Sequence, residues 1–182
     1  HERVGAPVLV GGTGAAQIDT TYMSEQTPAL VALAGRAPGA EFAARAVSEP
    51  DLPHADAPPA DWRRLLPETA GPIRGLVVLG EPAHFDPRPL LEGLDFVLPD
   101  VPKVGGLASG SRHPYGNALF CGRERVNQGA VLLAIAGDVT VTPVVSQGCR
   151  PIGRAGAISK AAGNRLTAVD GVPAKRFVEQ QL

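Results

Sequence analysis

Cys149 and Arg150 stand side by side in Gln147-Gly148-Cys149-Arg150-Pro151-Ile152-Gly153. A guanidinium beside a thiol can lower the thiol's pKa and make it a nucleophile. It can also clamp the carboxylate of a ligand through its planar fork. The plainer alternative is that Arg150 pairs an internal acid while Cys149 packs as a small apolar group. A second glycine-dense segment, Gly105-Gly106-Leu107-Ala108-Ser109-Gly110, lies upstream. Its glycines allow either close approach of backbone to a ligand or tight packing of strands. The candidate ligand-binding residues are therefore Gly105, Gly106, Ser109, Gln147, Cys149 and Arg150. No catalytic residue is assigned, and the chain is read as a binder, with thiol chemistry at Cys149 as the enzymatic alternative.

Other chemistries find weaker footing. Ser109 lacks the GxSxG setting of a nucleophile elbow, and His113 nearby has no legible acid partner. His1, His54, His84 and His113 are scattered with no i, i+4 pair, so no metal site is expected. Gly12-Thr13-Gly14-Ala15-Ala16-Gln17 begins like a dinucleotide fingerprint, but Gln17 replaces the third glycine and no suitable helix follows. There is no GxxxxGK[ST], and no cofactor is expected. Cys121 and Cys149 form no CxxC pair. They read as reduced, partly buried thiols; a disulfide would need their α-carbons within ~7 Å.

The 182 residues carry 17 basic and 18 acidic side chains, a net charge of −1, which argues against a nucleic-acid partner. Apolar runs such as Gly129–Gly137 fall far short of the ~20 residues of a membrane helix, so no transmembrane segment is expected. The chain starts at His1 without methionine, so an upstream piece is expected to be missing and targeting is unreadable. Aromatic residues make up only 4%, with Gly and Pro abundant, which implies a core of small aliphatic side chains and many turns.

The elements that must position these residues follow from apolar runs and their punctuation. Pro7-Val8-Leu9-Val10 reads as a buried strand entering a glycine turn. Thr27–Ala34 is read as a strand, with Ala40–Val47 as its partner through Ala37-Pro38-Gly39. Ala60–Leu66 predicts a helical turn or two, with Trp62 as a packing anchor. Gly75–Gly80 is the clearest buried strand. Asp86 and Pro87 predict a helix start, and Lys103–Gly106 a returning strand, together a crossover unit. Asn117–Cys121 and Gly129–Ile135 are read as a hairpin around Gly122–Gln128, and Val139–Val145 as a further strand after Gly137-Asp138. Arg165–Val169, the turn Asp170-Gly171 and a helix after Pro173 close the chain. The expected fold class is α+β, a mixed, largely antiparallel sheet covered by short helices. A sheet domain is expected over residues 1–153 and an appended strand–helix unit over 154–182.

Val104–Gly110, Gly129-Ala130-Val131, Gln147–Gly153, Gly163-Asn164 and Asp170–Ala174 together resemble the N-terminal half of the FIST domain, named for F-box and intracellular signal transduction. Leu9–Gly14 and Leu76–Pro82 fit more loosely. The resemblance covers nearly the whole chain, and its GGLASG and QGCRPIG segments are specific in combination. It implies a sensory α/β module that binds a small, amino-acid-like metabolite and relays it to an output domain or partner. It also implies that the chain is a fragment whose C-terminal half lies beyond its end. The alternative is a non-catalytic interaction or scaffold subunit of a larger complex, with a partner protein in place of the small-molecule ligand. The expected location is intracellular, soluble and cytoplasmic, with an organelle left open because the N-terminus is missing.

Overall fold

The computed structural model describes residues 6–25, 27–111, 113, 116–146, 148–162 and 165–181. The chain divides into two compact units, one ending at Pro143 and one beginning at Val144. In chain order the first unit contains β1 (Val10–Gly12), β2 (Gln17–Ile18), β3 (Met23–Ser24), β4 (Ala40–Val47), α1 (Pro59–Arg63) and β5 (Ile73–Glu81). It continues with α2 (Pro87–Val97), β6 (Lys103–Leu107), β7 (Leu119–Cys121), β8 (Glu124–Val126) and β9 (Gly129–Gly137). The second unit contains β10 (Ile158–Ala162), β11 (Arg165–Val169), β12 (Val172–Pro173) and α3 (Ala174–Glu179).

The main sheet has the order β4-β9-β5-β6. Its two middle strands are the most apolar runs of the chain, as expected for strands covered on both faces. β9 pairs antiparallel with both neighbours, with Leu79 opposite Val131 and Val47 opposite Ala130. β6 lies parallel to β5, with Leu76 opposite Lys103. A parallel neighbour requires a crossover, and α2 supplies it. The α+β expectation, a mixed and mostly antiparallel sheet with short helices, is what the chain adopts.

α2 begins where Asp86 accepts the Arg88 N–H at 3.1 Å and Pro87 takes a first-turn position that needs no donor. Its Leu90, Leu94 and Val97 recur at helical spacing and pack on Leu76, Val78, Leu132 and Ala134 of the sheet. Leu90 and Leu94 are wholly buried, and removing either side chain to Ala would cost about 2–5 kcal/mol. Lys103 closes the crossover: its Nζ donates to the Leu98 and Val101 carbonyls at 2.6 and 2.9 Å and meets Asp95 at 2.9 Å. Trp62 of α1 is buried over Gly93, where any side chain would overlap the indole. The opposite face of the sheet is partly covered by the ribbon β1-β7-β8, whose Leu119 and Val126 pack with Ala108 and Val131.

Four expectations about strands are corrected. Thr27–Ala34 forms no strand, and the partner of Ala40–Val47 is β9. The run is apolar, but among the described residues no strand pairs with β4 on that side. Leu119–Cys121 pairs with Glu124–Val126 through a turn at Gly122-Arg123, not with Gly129–Ile135, which lies in the main sheet. Val139–Val145 forms no strand and joins no ladder among the described residues; Pro143 removes a donor, and Val141 instead packs over Gly75. The N-terminal strand begins at Val10, half-buried, and runs into the glycines.

In the second unit, β11 and β12 are joined by Asp170-Gly171, both left-handed at φ 49° and 77°. This is the conformation an Asp-Gly hairpin turn requires. The Asp170 carboxylate accepts from Ala157 N at 2.8 Å and from Arg154 Nη1 at 2.7 Å. Arg154 also lies 4.8 Å above the Phe177 ring, so the buried face of α3 is tied to the turn.

Candidate functional site

β5 and β6 point the same way, so their carboxyl ends release two loops on the same side of the sheet. That is where α/β sheets gather ligand-binding loops. The first loop follows Glu81, the last residue of β5, and the second runs from Ala108 to Ser111, held to the end of β5 by the Ala108 N–H donating to the Gly80 carbonyl at 2.8 Å. A third loop, Gly12–Ala15, arrives from β1. Thr13 fastens it: its N–H donates to the Ala118 carbonyl at 2.9 Å, its hydroxyl accepts from Ala118 N at 3.1 Å, and its carbonyl accepts from Ser109 N at 3.0 Å.

Ser109 adds a side-chain tie, its Oγ accepting from Ala15 N at 3.1 Å. Gly110 follows with φ 99°, a left-handed position where glycine is favoured, and a side chain there would come within 2.9 Å of the Gly14 carbonyl. Two glycine loops thus touch along their backbones. Among the described residues the N–H groups of Gly14 and Gly110 have no acceptor. Ser109 and Gly110 are exposed. An arrangement of this kind can offer backbone donors to a carboxylate.

Glu81 sits beneath the loops, 1% exposed. Its Oε1 accepts from Ala83 N at 3.1 Å and, at the longer distance of 3.5 Å, from Asn117 Nδ2. Its Oε2 accepts from His84 N at 3.0 Å and lies 3.0 Å from His84 Nδ1. Burial pushes this carboxyl up; the hydrogen bonds from Ala83, the His84 ring, Asn117 and the His84 backbone outweigh it and hold it below the ordinary glutamate range. Asn117 in turn accepts from Ser111 N at 3.0 Å, so one buried carboxylate links the loops after β5 and β6. Sequence reasoning missed Glu81, Asn117 and Thr13. The available signal was a lone acid directly after the apolar run Gly75–Gly80.

The sequence-predicted residues divide between the two units. Gly105, Gly106 and Ser109 belong to the first. Gly105 serves packing, because a side chain there would overlap the Val78 backbone; Gly106 faces open space on the outer strand β6. Cys149 and Arg150 belong to the second unit and are exposed. Arg150 has no ion-pair partner among the described residues, whereas Arg154, four positions on, is matched to Asp170. Gln147 and Asn164 lie outside the described residues. Both cysteines are free thiols, but only Cys121 is partly buried as expected; Cys149 is exposed. Burial, and after it the Glu124 charge, push the Cys121 thiol up.

Two shallow depressions beside α1, of about 330 and 480 Å³, share Arg45 and Arg64 in their walls and contain none of the predicted site residues. Their arginines have structural employment: Arg45 donates to the Arg64 carbonyl at the helix end, and Arg64 pairs Asp61 at 3.1 Å. Among the described residues no three His, Cys, Asp or Glu side chains converge as a metal-ligand set. No described helix is long and apolar enough to cross a membrane.

A family model described as FIST N domain matches residues 1–172. Among curated proteins, an uncharacterised protein of Mycobacterium tuberculosis is 37% identical over 97 residues, which is 53% of this chain and 25% of that protein. An uncharacterised protein of Mycobacterium bovis is 36% identical over 97 residues, again 53% of this chain and 25% of the relative. The matched stretch is thus a quarter of the length of these relatives. No solved structure gives a significant match.

Proposed function

The chain belongs to the FIST family, a sensory family associated with signal transduction, and from that premise we propose that it binds a small amino-acid-like metabolite and relays the bound state to an output domain or partner protein. The observation that carries the reading is the pair of touching glycine loops at the carboxyl ends of β5 and β6, with the Gly14 and Gly110 N–H groups unspent among the described residues. Backbone donors of this kind suit a carboxylate, and the Ser109 hydroxyl keeps a proton to donate. The role is binding, not catalysis. In the second unit, the exposed Arg150 is the side chain proposed to meet ligand charge, with Gln147 and Cys149 beside it in sequence.

The test is a melting-temperature screen against free amino acids. A ligand at about 100 times its Kd adds about 2.7 kcal/mol, which raises Tm by about 5–10 °C in a chain of this size. Ser109→Ala and Arg150→Ala each report on their own unit alone: the first should weaken the shift of a ligand held by the glycine loops, the second that of a ligand held beside Arg150. Arg150→Ala should do so without changing the unliganded melt, since it holds no ion pair among the described residues. A panel that gives no shift removes the ligand reading; a full shift in Arg150→Ala removes that residue from it.

A second reading, an interaction or scaffold subunit, draws on the exposure of Val144, Val145, Ile158 and Leu166 in the second unit. Co-purification with one protein at fixed stoichiometry, together with an empty screen, would select it.

A further inference from the structure

The first unit carries an open sheet edge and, joined to it, an unpaired segment competent to close that edge. β4 is the outermost strand, eight residues long, and among the described residues no strand lies outside it. Exposed edges of this length are a liability that folded proteins cover or charge. Here the strand Ala40–Val47 carries only Glu41 and Arg45 as charges, and both are turned to other work, Glu41 accepting from Ala70 N at 2.9 Å and Arg45 donating to the Arg64 carbonyl.

Directly before β4 lies Thr27–Ala34, as long as β4 and without a charged residue. It forms neither helix nor strand and, among the described residues, takes part in no ladder. Leu30 is 91% exposed and Leu33 fully so. Apolar side chains this exposed on an uncharged segment mark a contact surface. The sequence reads as a hairpin, Thr27–Ala34 turning through Ala37-Pro38-Gly39 onto β4, and the turn itself forms: Ala40 N donates to the Ala37 carbonyl at 3.1 Å. The Gly39 carbonyl also accepts from Asp138 N at 3.0 Å, which pins the root of the arm to the end of β9. Beyond that root the arm leaves its own edge.

We propose that Thr27–Ala34 is exchanged between two copies of this chain, each arm adding a strand to the other copy's β4. The occupant is a second copy because the vacancy and its filler are both present, with matched length, in one polypeptide. A single two-fold operation satisfies both edges and buries both arms. An antiparallel arm extends the main sheet; Leu30 and Leu33, three residues apart, fall on its two opposite faces, while Pro28, which has no donor, falls at the end of the ladder. The inference is independent of the metabolite reading, since it uses neither glycine loop nor Arg150.

Light scattering on the full chain, across a concentration series, should give twice the chain mass. Leu30→Glu/Leu33→Glu should return it to a single chain with unchanged far-ultraviolet circular dichroism, because neither side chain is buried within one copy. The geometry is read by cross-linking on a Cys121→Ala/Cys149→Ala background. Copies bearing Ala32→Cys mixed with copies bearing Ala44→Cys should be joined by a short bis-maleimide. A single-chain mass at every concentration overturns the proposal. So does a dimer that survives both glutamates, or a mixture in which the Ala32→Cys and Ala44→Cys copies are not joined.

Discussion

Replacing Glu81 by Gln preserves the shape of the side chain and removes the charge that organises the loops after β5 and β6. The carboxylate accepts on both oxygens: Ala83 N and Asn117 on one, the His84 backbone and ring on the other. The amide has one oxygen, so its NH2 must face a buried donor whichever way it turns. Stranding one such donor costs about 1–3 kcal/mol, and the remaining bonds lose their charge assistance, about 1 kcal/mol more. The sum is about 2–4 kcal/mol, or a Tm lower by about 5–15 °C in a chain of this length. The assay is urea unfolding followed by circular dichroism, repeated over pH. Because the folded pKa of Glu81 lies below its unfolded value, its contribution is fully present above the unfolded glutamate value of about 4.3 and is lost as pH falls through the folded one. The wild type should therefore lose more stability in acid than Glu81→Gln, and the gap between them should close. A variant within about 0.5 kcal/mol of wild type at pH 7, or a gap that widens in acid, refutes the role assigned to Glu81.

Gly93→Ala should destabilise by about 1–3 kcal/mol despite the better helix propensity of alanine, since its methyl enters the Trp62 indole; chemical denaturation measures it. Asp86→Ala removes the cap of α2 and should cost about 1 kcal/mol by the same method. Maleimide labelling followed by peptide mass spectrometry should find Cys149 modified before Cys121. The first is exposed, while burial and the Glu124 charge keep the second protonated.

What the sequence made legible was local. The run Gly75–Gly80, the Asp86-Pro87 helix start and the Asp170-Gly171 turn each depend on a few adjacent residues, and each forms as read. Strand partners were harder, because β-competent runs carry no label for their neighbour. Gly129–Gly137 suits a hairpin with Asn117–Cys121 as well as a place between β4 and β5, and burial on both faces decides for the latter. At the site, Ser109 was found through its glycine neighbours. Gly105 drew notice for the same reason, yet it serves strand packing. Glu81 and Asn117 stayed hidden because 36 residues separate them and only the parallel pairing of β5 with β6 brings their loops together.

The measurement that bears most directly on the sensory reading is an amide-resolved NMR titration of the full chain with free amino acids. The account predicts that one of them moves the Gly14, Ser109 and Gly110 resonances in a saturable way. Resonances there that stay fixed through the whole series, or changes confined to the depressions around Arg45 and Arg64, would contradict it.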